Sequence, residues 1–131
     1  MAAYPRQYLE FIKLFNQGCF FEAHEALELL WRQEKGPARN FYHGLIQIAA
    51  VFVHLTRFLK FRGPVSPAGG FAENRGPQKS VPEGAKCLLE TSRKYLEPYG
   101  AVYAGLDVRK ILSDTEAAVT AGALAPVLTL H

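Results

Sequence analysis

Residues 20–54 read FFEAHEALELLWRQEKGPARNFYHGLIQIAAVFVH, from Phe20 to His54, and the fold turns on how this stretch divides. Phe20, Ala23, His24, Leu27, Leu30 and Trp31 fall at i, i+3, i+4, i+7, i+10 and i+11, the spacing of one apolar stripe on a helix. His24 lies inside that stripe, and Glu28, one turn further on, borders it. Glu22, Glu25, Arg32 and Glu34 belong to the flanking or opposite surfaces. Gly36 and Pro37 end this helix and launch the next. From about Ala38 to Arg62 the chain is apolar nearly all round, with Phe41, Tyr42, Leu45, Ile46, Ile48, Val51, Phe52, Val53, Leu55, Phe58 and Leu59. A helix of that kind has to be covered on several sides, so it is the central one.

The neighbouring segments supply the cover. After Pro5, the residues Tyr8, Leu9, Phe11, Ile12 and Phe15 predict an amphipathic helix over 6–16. Gly18 is placed to end it in a left-handed conformation, so that the next helix starts at Cys19 or Phe20. Residues 63–82 are punctuated by glycine and proline and predict a long irregular, mobile loop. A fourth helix is expected over about 83–97, closed by Pro98 and Gly100. Asp107 caps a segment read as helical over 108–121, within which Ser113 and Glu116 match a capping box that could instead start a new helix. The apolar tail from Leu124 to Leu130 is expected to dock on the body. The expectation is an all-α, single-domain bundle of about five helices spanning residues 1–131, with a motif hairpin at 19–62 and no internal repeat.

Composition narrows the classes of function. A chain of 131 residues with 49% hydrophobic and 21% charged residues buries a single sizeable core. The net charge of +3 comes from residues 1–62, with eight Lys/Arg against five Glu, since the remainder carries seven of each sign. Arg57, Lys60 and Arg62 sit where the central helix ends, which suits the negative end of its dipole. No basic stripe with interleaved aromatics accompanies them, so nucleic acid is discounted as a partner. Cys19 and Cys87 form neither a disulfide framework nor a CxxC zinc spacing and fit reduced thiols in a cytoplasmic protein. No signal peptide is read at the N-terminus. The longest apolar run, Leu45 to Leu55, is interrupted by Gln47 and His54 and falls short of the ~20 residues that span a bilayer. Association into homo-oligomers and the identity of a small-ligand or protein partner stay open.

The chemistry candidates are His24, Glu25, Glu28, Trp31, His43, Gln47 and His54. His24-Glu25-Ala26-Leu27-Glu28 approaches a zinc-protease helix but lacks the second histidine four residues on. Glu28 stands in that place, and a His/Glu pair four apart can offer two ligands to a metal completed by another element. His43, Gln47 and His54 are spaced to project from one face of the central helix. In an antiparallel hairpin turning near Gly36 and Pro37, positions whose numbers sum to about 75 meet, which brings Glu28 near Gln47, Trp31 near His43, and His24 between Gln47 and His54. Buried polar groups cost roughly 1–3 kcal/mol each when unpaired, so convergence of several implies a network. That network fits a structural hydrogen-bond cluster, a small-ligand or divalent-metal site built on His24, Glu28 and His54, or an acid/base site. No serine, cysteine or lysine can be set beside these histidines as a nucleophile.

Phe20-Phe21-Glu22-Ala23-His24-Glu25, with Leu27-Glu28 and Trp31, followed by Phe41-Tyr42-His43-Gly44-Leu45-Ile46-Gln47-Ile48-Ala49-Ala50 and His54, resembles the signature of the DUF309 family, small all-helical proteins of unknown function. The resemblance covers about residues 8–62 and, more weakly, Gly84-Ala85 through Asp107-Val108. It implies His24, Glu25, Glu28, Trp31, Gly44, Gln47 and His54 as motif positions. His43 stands where that family more often has glutamine, and residues 63–82 look like an insertion. A protein-interaction module is the alternative, because Asn16 to Ala23 resembles the first helix of a tetratricopeptide-like hairpin. Only one such hairpin is present, whereas that architecture is stabilised by stacking repeats.

Overall fold

A computed structural model describes residues 4–62, 83–121 and 125–130. The predicted 63–82 loop lies outside the described residues, as do the side chains of Arg57, Lys60 and Arg62. Among the described residues five α-helices carry the fold: α1 (Arg6–Asn16), α2 (Phe20–Gln33), α3 (Arg39–Arg62), α4 (Glu83–Leu96) and α5 (Val108–Ala121). A 3-10 turn at Glu97–Tyr99 and a small antiparallel hairpin, β1 (Val102–Tyr103) with β2 (Leu106–Asp107), join α4 to α5.

The tight joint between α1 and α2 has a specific cause. Gly18 takes φ +83°, its N–H bonds to Phe15 O at 3.0 Å, and the Cys19 N–H bonds to Leu14 O at 2.9 Å. This pair of bonds is a Schellman closure, which needs a left-handed residue at the turn and satisfies two carbonyls that the helix end would leave orphaned. Helix α2 therefore starts two residues later and folds back on α1.

Helix α3 is the centre, packed against α2 on one side and most extensively against α4 on another. Phe41, Leu45, Ile48, Ala49 and Val51 are fully buried. Rings from α1 interdigitate with it: Tyr8 lies 6.3 Å from Phe41 and 5.9 Å from Tyr42, and Phe15 meets Phe52 edge-on at 5.6 Å. Gly44 brings α3 and α4 close, since a Cβ there would stand 2.6 Å from Leu96 Cγ and Cδ2.

Helix α5 runs uninterrupted through Ser113 over the expected 108–121, because Asp107 Oδ1 accepts from the Lys110 N–H at 3.0 Å and starts the helix there. With Ile111, Leu112, Thr115, Ala118 and Val119 buried on one face, a second start at Ser113 would break a continuous core contact. The hairpin was not foreseen: Val102 pairs with Asp107 and Tyr103 with Leu106. Its two turn residues, Ala104 (φ +49°) and Gly105 (φ +81°), are both left-handed, the backbone pattern that two-residue hairpins favour. Alanine is a poor signal for that turn, so the sequence concealed it.

Candidate functional site

The polar face of the α2–α3 hairpin centres on Trp31 and His43. Their rings lie 4.9 Å apart, and His43 also packs on Tyr95 of α4 at 4.3 Å, the planes tilted by 40°. Gln47, one turn along α3, donates from its Nε2 to His43 Nε2 at 3.1 Å. With the amide turned this way the ring nitrogen is the acceptor, a role that goes with the tautomer protonated on Nδ1. Burial, and secondarily the charge of Arg39, hold the His43 pKa below its ordinary value.

Arg39 completes this arrangement. Its guanidinium sits 4.4 Å above the Trp31 ring while Nη1 donates to Trp31 O at 3.0 Å and Glu34 O at 3.1 Å. One side chain thus stacks on the tryptophan and satisfies carbonyls at the end of α2. The opposite end of the joint is held by Tyr99, whose hydroxyl accepts from the Phe41 N–H at 3.0 Å and donates to Pro37 O at 2.6 Å. It acts as a remote cap on α3.

The expected register is met at Trp31 with His43, where 31 and 43 straddle the turn. It is not met at His54. That side chain is exposed and lies against the start of α4, where a Cβ on Gly84 would stand 3.1 Å from its Cε1. Glu25 is exposed. Glu28 is half-buried and faces Arg32 Nη2 at 3.6 Å. His24 is half-buried, its ring parallel to that of Phe21 at 6.2 Å. Among the described residues no three His, Cys, Asp or Glu side chains gather closely enough to hold a metal ion, so His24, Glu28 and His54 do not form a ready three-ligand set here.

Two atoms on this face stand out. His24 Nδ1 and Trp31 Nε1 are both buried and have no hydrogen-bond partner among the described residues. They sit seven residues apart on α2, so they share one face with about 10 Å of rise between them. Arg39, Tyr95 and Tyr99 escaped the sequence reading. Arg39 had a signal, a cation at the start of α3 eight residues after the tryptophan, whereas the tyrosines depend on how α4 docks.

Residues 8–60 match the family model described as a domain of unknown function, DUF309. Over those residues the chain is a match to DUF309. The match takes in α2 and most of α1 and α3, hence His24, Trp31, Arg39, His43 and Gln47 together, and stops short of α4. The stacking partner Tyr95 and the cap Tyr99 are thus supplied to the DUF309 segment from outside it. No curated protein and no solved structure matches the chain. No helix of the described residues is long and apolar enough to cross a membrane.

Proposed function

We propose that the seam between α2 and α3 of this DUF309-matching segment binds a small polar ligand through a hydrogen-bond acceptor, a carboxylate or carbonyl oxygen, received by Trp31 Nε1 with His24 Nδ1 as a second contact. The observation that carries this reading is the pair of buried ring nitrogens without partners on one row of α2. Leaving such a group unpaired costs about 1–3 kcal/mol, and native proteins leave few of them. An indole N–H can only donate, so no change of protonation or tautomer relieves it. The guanidinium held over the ring makes the indole edge a favourable place for a partial or full negative charge.

Trp31 is the single tryptophan, so its emission and its one indole N–H resonance report on the site directly. Titration with a panel of small carboxylates and carbonyl compounds should shift that resonance with a saturable dependence that His24→Ala weakens. If no compound in the panel moves it, while the resonance shows contact with a long-lived water, the pair is a hydrated structural element and the proposal fails. Untagged, chelator-stripped protein titrated with zinc and manganese forms the parallel arm. Thermal stabilisation by metal that disappears in both His24→Ala and His54→Ala would assign the face to a metal and overturn the polar-ligand reading.

A further inference from the structure

Residues 125–130 have no regular secondary structure, yet they are held as a peptide is held in a receptor groove. Asn16, at the end of α1, clamps both backbone groups of Leu128: its Nδ2 donates to Leu128 O at 2.9 Å and its Oδ1 accepts from the Leu128 N–H at 2.7 Å. That contact reads main chain and ignores the side chain. Side chains alternate, with Pro126 and Leu128 buried while Val127 and Thr129 face out, Val127 being 70% exposed. Leu130 closes the row against the hairpin turn, where a Cβ on Gly105 would meet its Cδ2 at 2.9 Å. A cavity of about 240 Å³ stays open beside the segment, between it and Leu106, Lys110 and Ile111, so the occupant does not fill its groove.

Main-chain bonds that give affinity and alternate pockets that give selectivity are the marks of extended-peptide recognition. We propose that this groove is a peptide-binding site selective for an extended Pro-x-Leu-x-Leu segment of another protein, and that residues 125–130 occupy it in cis as a competing, autoinhibitory ligand. Asn16 is the main-chain anchor, and the pockets of Pro126 and Leu128 set the selectivity.

The test uses the full chain carrying Leu128→Asp, which removes the cis occupant, and a fluorescent peptide of residues 124–131. The variant should bind the peptide saturably by anisotropy, and adding Asn16→Ala should abolish binding. A tethered segment has an effective concentration on the order of 1 mM, so for a peptide Kd on the order of 100 μM the wild type binds about tenfold more weakly. A helical, cooperatively melting Leu128→Asp variant that does not bind, or binding indifferent to Asn16, overturns the proposal. Should that variant not fold, the wild type decides: excess peptide must accelerate hydrogen exchange at the Leu128 amide by displacing it, and no acceleration is a refutation. Sedimentation over the same concentrations separates the other occupant, since a wild-type dimer dissociated by the peptide would give the groove to a second copy instead.

Discussion

Gly44→Ala tests the closest approach in the bundle, and with it the setting of the His43 stack. In an ordinary helix interior this change stabilises by about 0.8–1.0 kcal/mol, because glycine is the more flexible in the unfolded chain. Here the new methyl would stand 2.6 Å from Leu96 Cγ and Cδ2 and 3.2 Å from Tyr95 Cβ. Carbon atoms rest at roughly 3.5–4.0 Å, so the overlap with Leu96 is about 1 Å. Leu96 is fully buried and cannot swing away, and Cγ and the Tyr95 Cβ sit too near their backbones to move without shifting α4. Overpacking of this kind costs about 1–3 kcal/mol. With two atoms of one fixed side chain struck, the upper half of that range applies, and the net loss is about 1–2 kcal/mol.

Urea unfolding should therefore show a lower midpoint at unchanged slope, with a Tm drop of about 3–10 °C for a domain of this size. The decisive arm is the double variant. Leu96→Ala is itself damaging, by about 2–5 kcal/mol, but it removes the atoms in the way. Gly44→Ala in that background should be neutral or stabilising by up to about 1 kcal/mol, giving a coupling of about 1–3 kcal/mol between the two positions. Because the Tyr95 ring that stacks on His43 is carried by the neighbouring residue, Trp31 emission should change with Gly44→Ala alone. A stabilising Gly44→Ala, or the same cost in both backgrounds, would refute the reasoning.

Three further outcomes are expected. The lowered pKa of His43 means that its contribution is fully present above the unfolded value of about 6.5 and is lost as pH falls toward the folded value; the Tm drop from pH 7.5 to 5 should be larger in the wild type than in His43→Gln, and superimposable profiles would contradict it. Tyr99→Phe removes the acceptor of the Phe41 N–H and the donor to Pro37 O and should cost about 1–2 kcal/mol, with faster hydrogen exchange at the first turn of α3. Gly18→Ala meets no atom within 4 Å, so its cost of about 1–2 kcal/mol is pure left-handed backbone strain and should be the same in the Leu96→Ala background.

Most of the fold was legible because helix period and punctuation agree along the chain. Gly18 ended α1 where a left-handed residue was available, and the all-round apolar character of α3 announced its burial. What escaped has a physical reason. The hairpin at 102–107 turns through Ala104, a residue with no preference for positive φ, and owes its shape to what surrounds it: the Tyr8 hydroxyl donates to Ala104 O at 2.7 Å, a contact 96 residues away in the chain. The helix read over 108–121 holds for the converse reason, since the local capping signal at Ser113 yields to a continuous buried face.

At the site, facing positions counted from the Gly36–Pro37 turn brought Trp31 to His43 but misplaced His54, and the difference lies in which neighbour each face of α3 meets. A helix buried on several sides presents polar residues to more than one partner, and periodicity along α3 alone cannot say whether α2 or α4 receives them. His43 is wedged between both, on Trp31 and on Tyr95, whereas His54 meets Gly84 at the far end of α4. Burial at the first position lowers the imidazole pKa, and Gln47 Nε2 lies 3.1 Å from its Nε2. The same packing leaves the indole N–H of Trp31 buried and without a partner among the described residues. Arg39 ties these facts together: it stacks on Trp31, holds the end of α2 by two carbonyls, and is the cation that disfavours charge on His43. The charge of Arg39 is thereby fixed over the same indole that His43 packs against, so a change at any one of the three is felt by the other two.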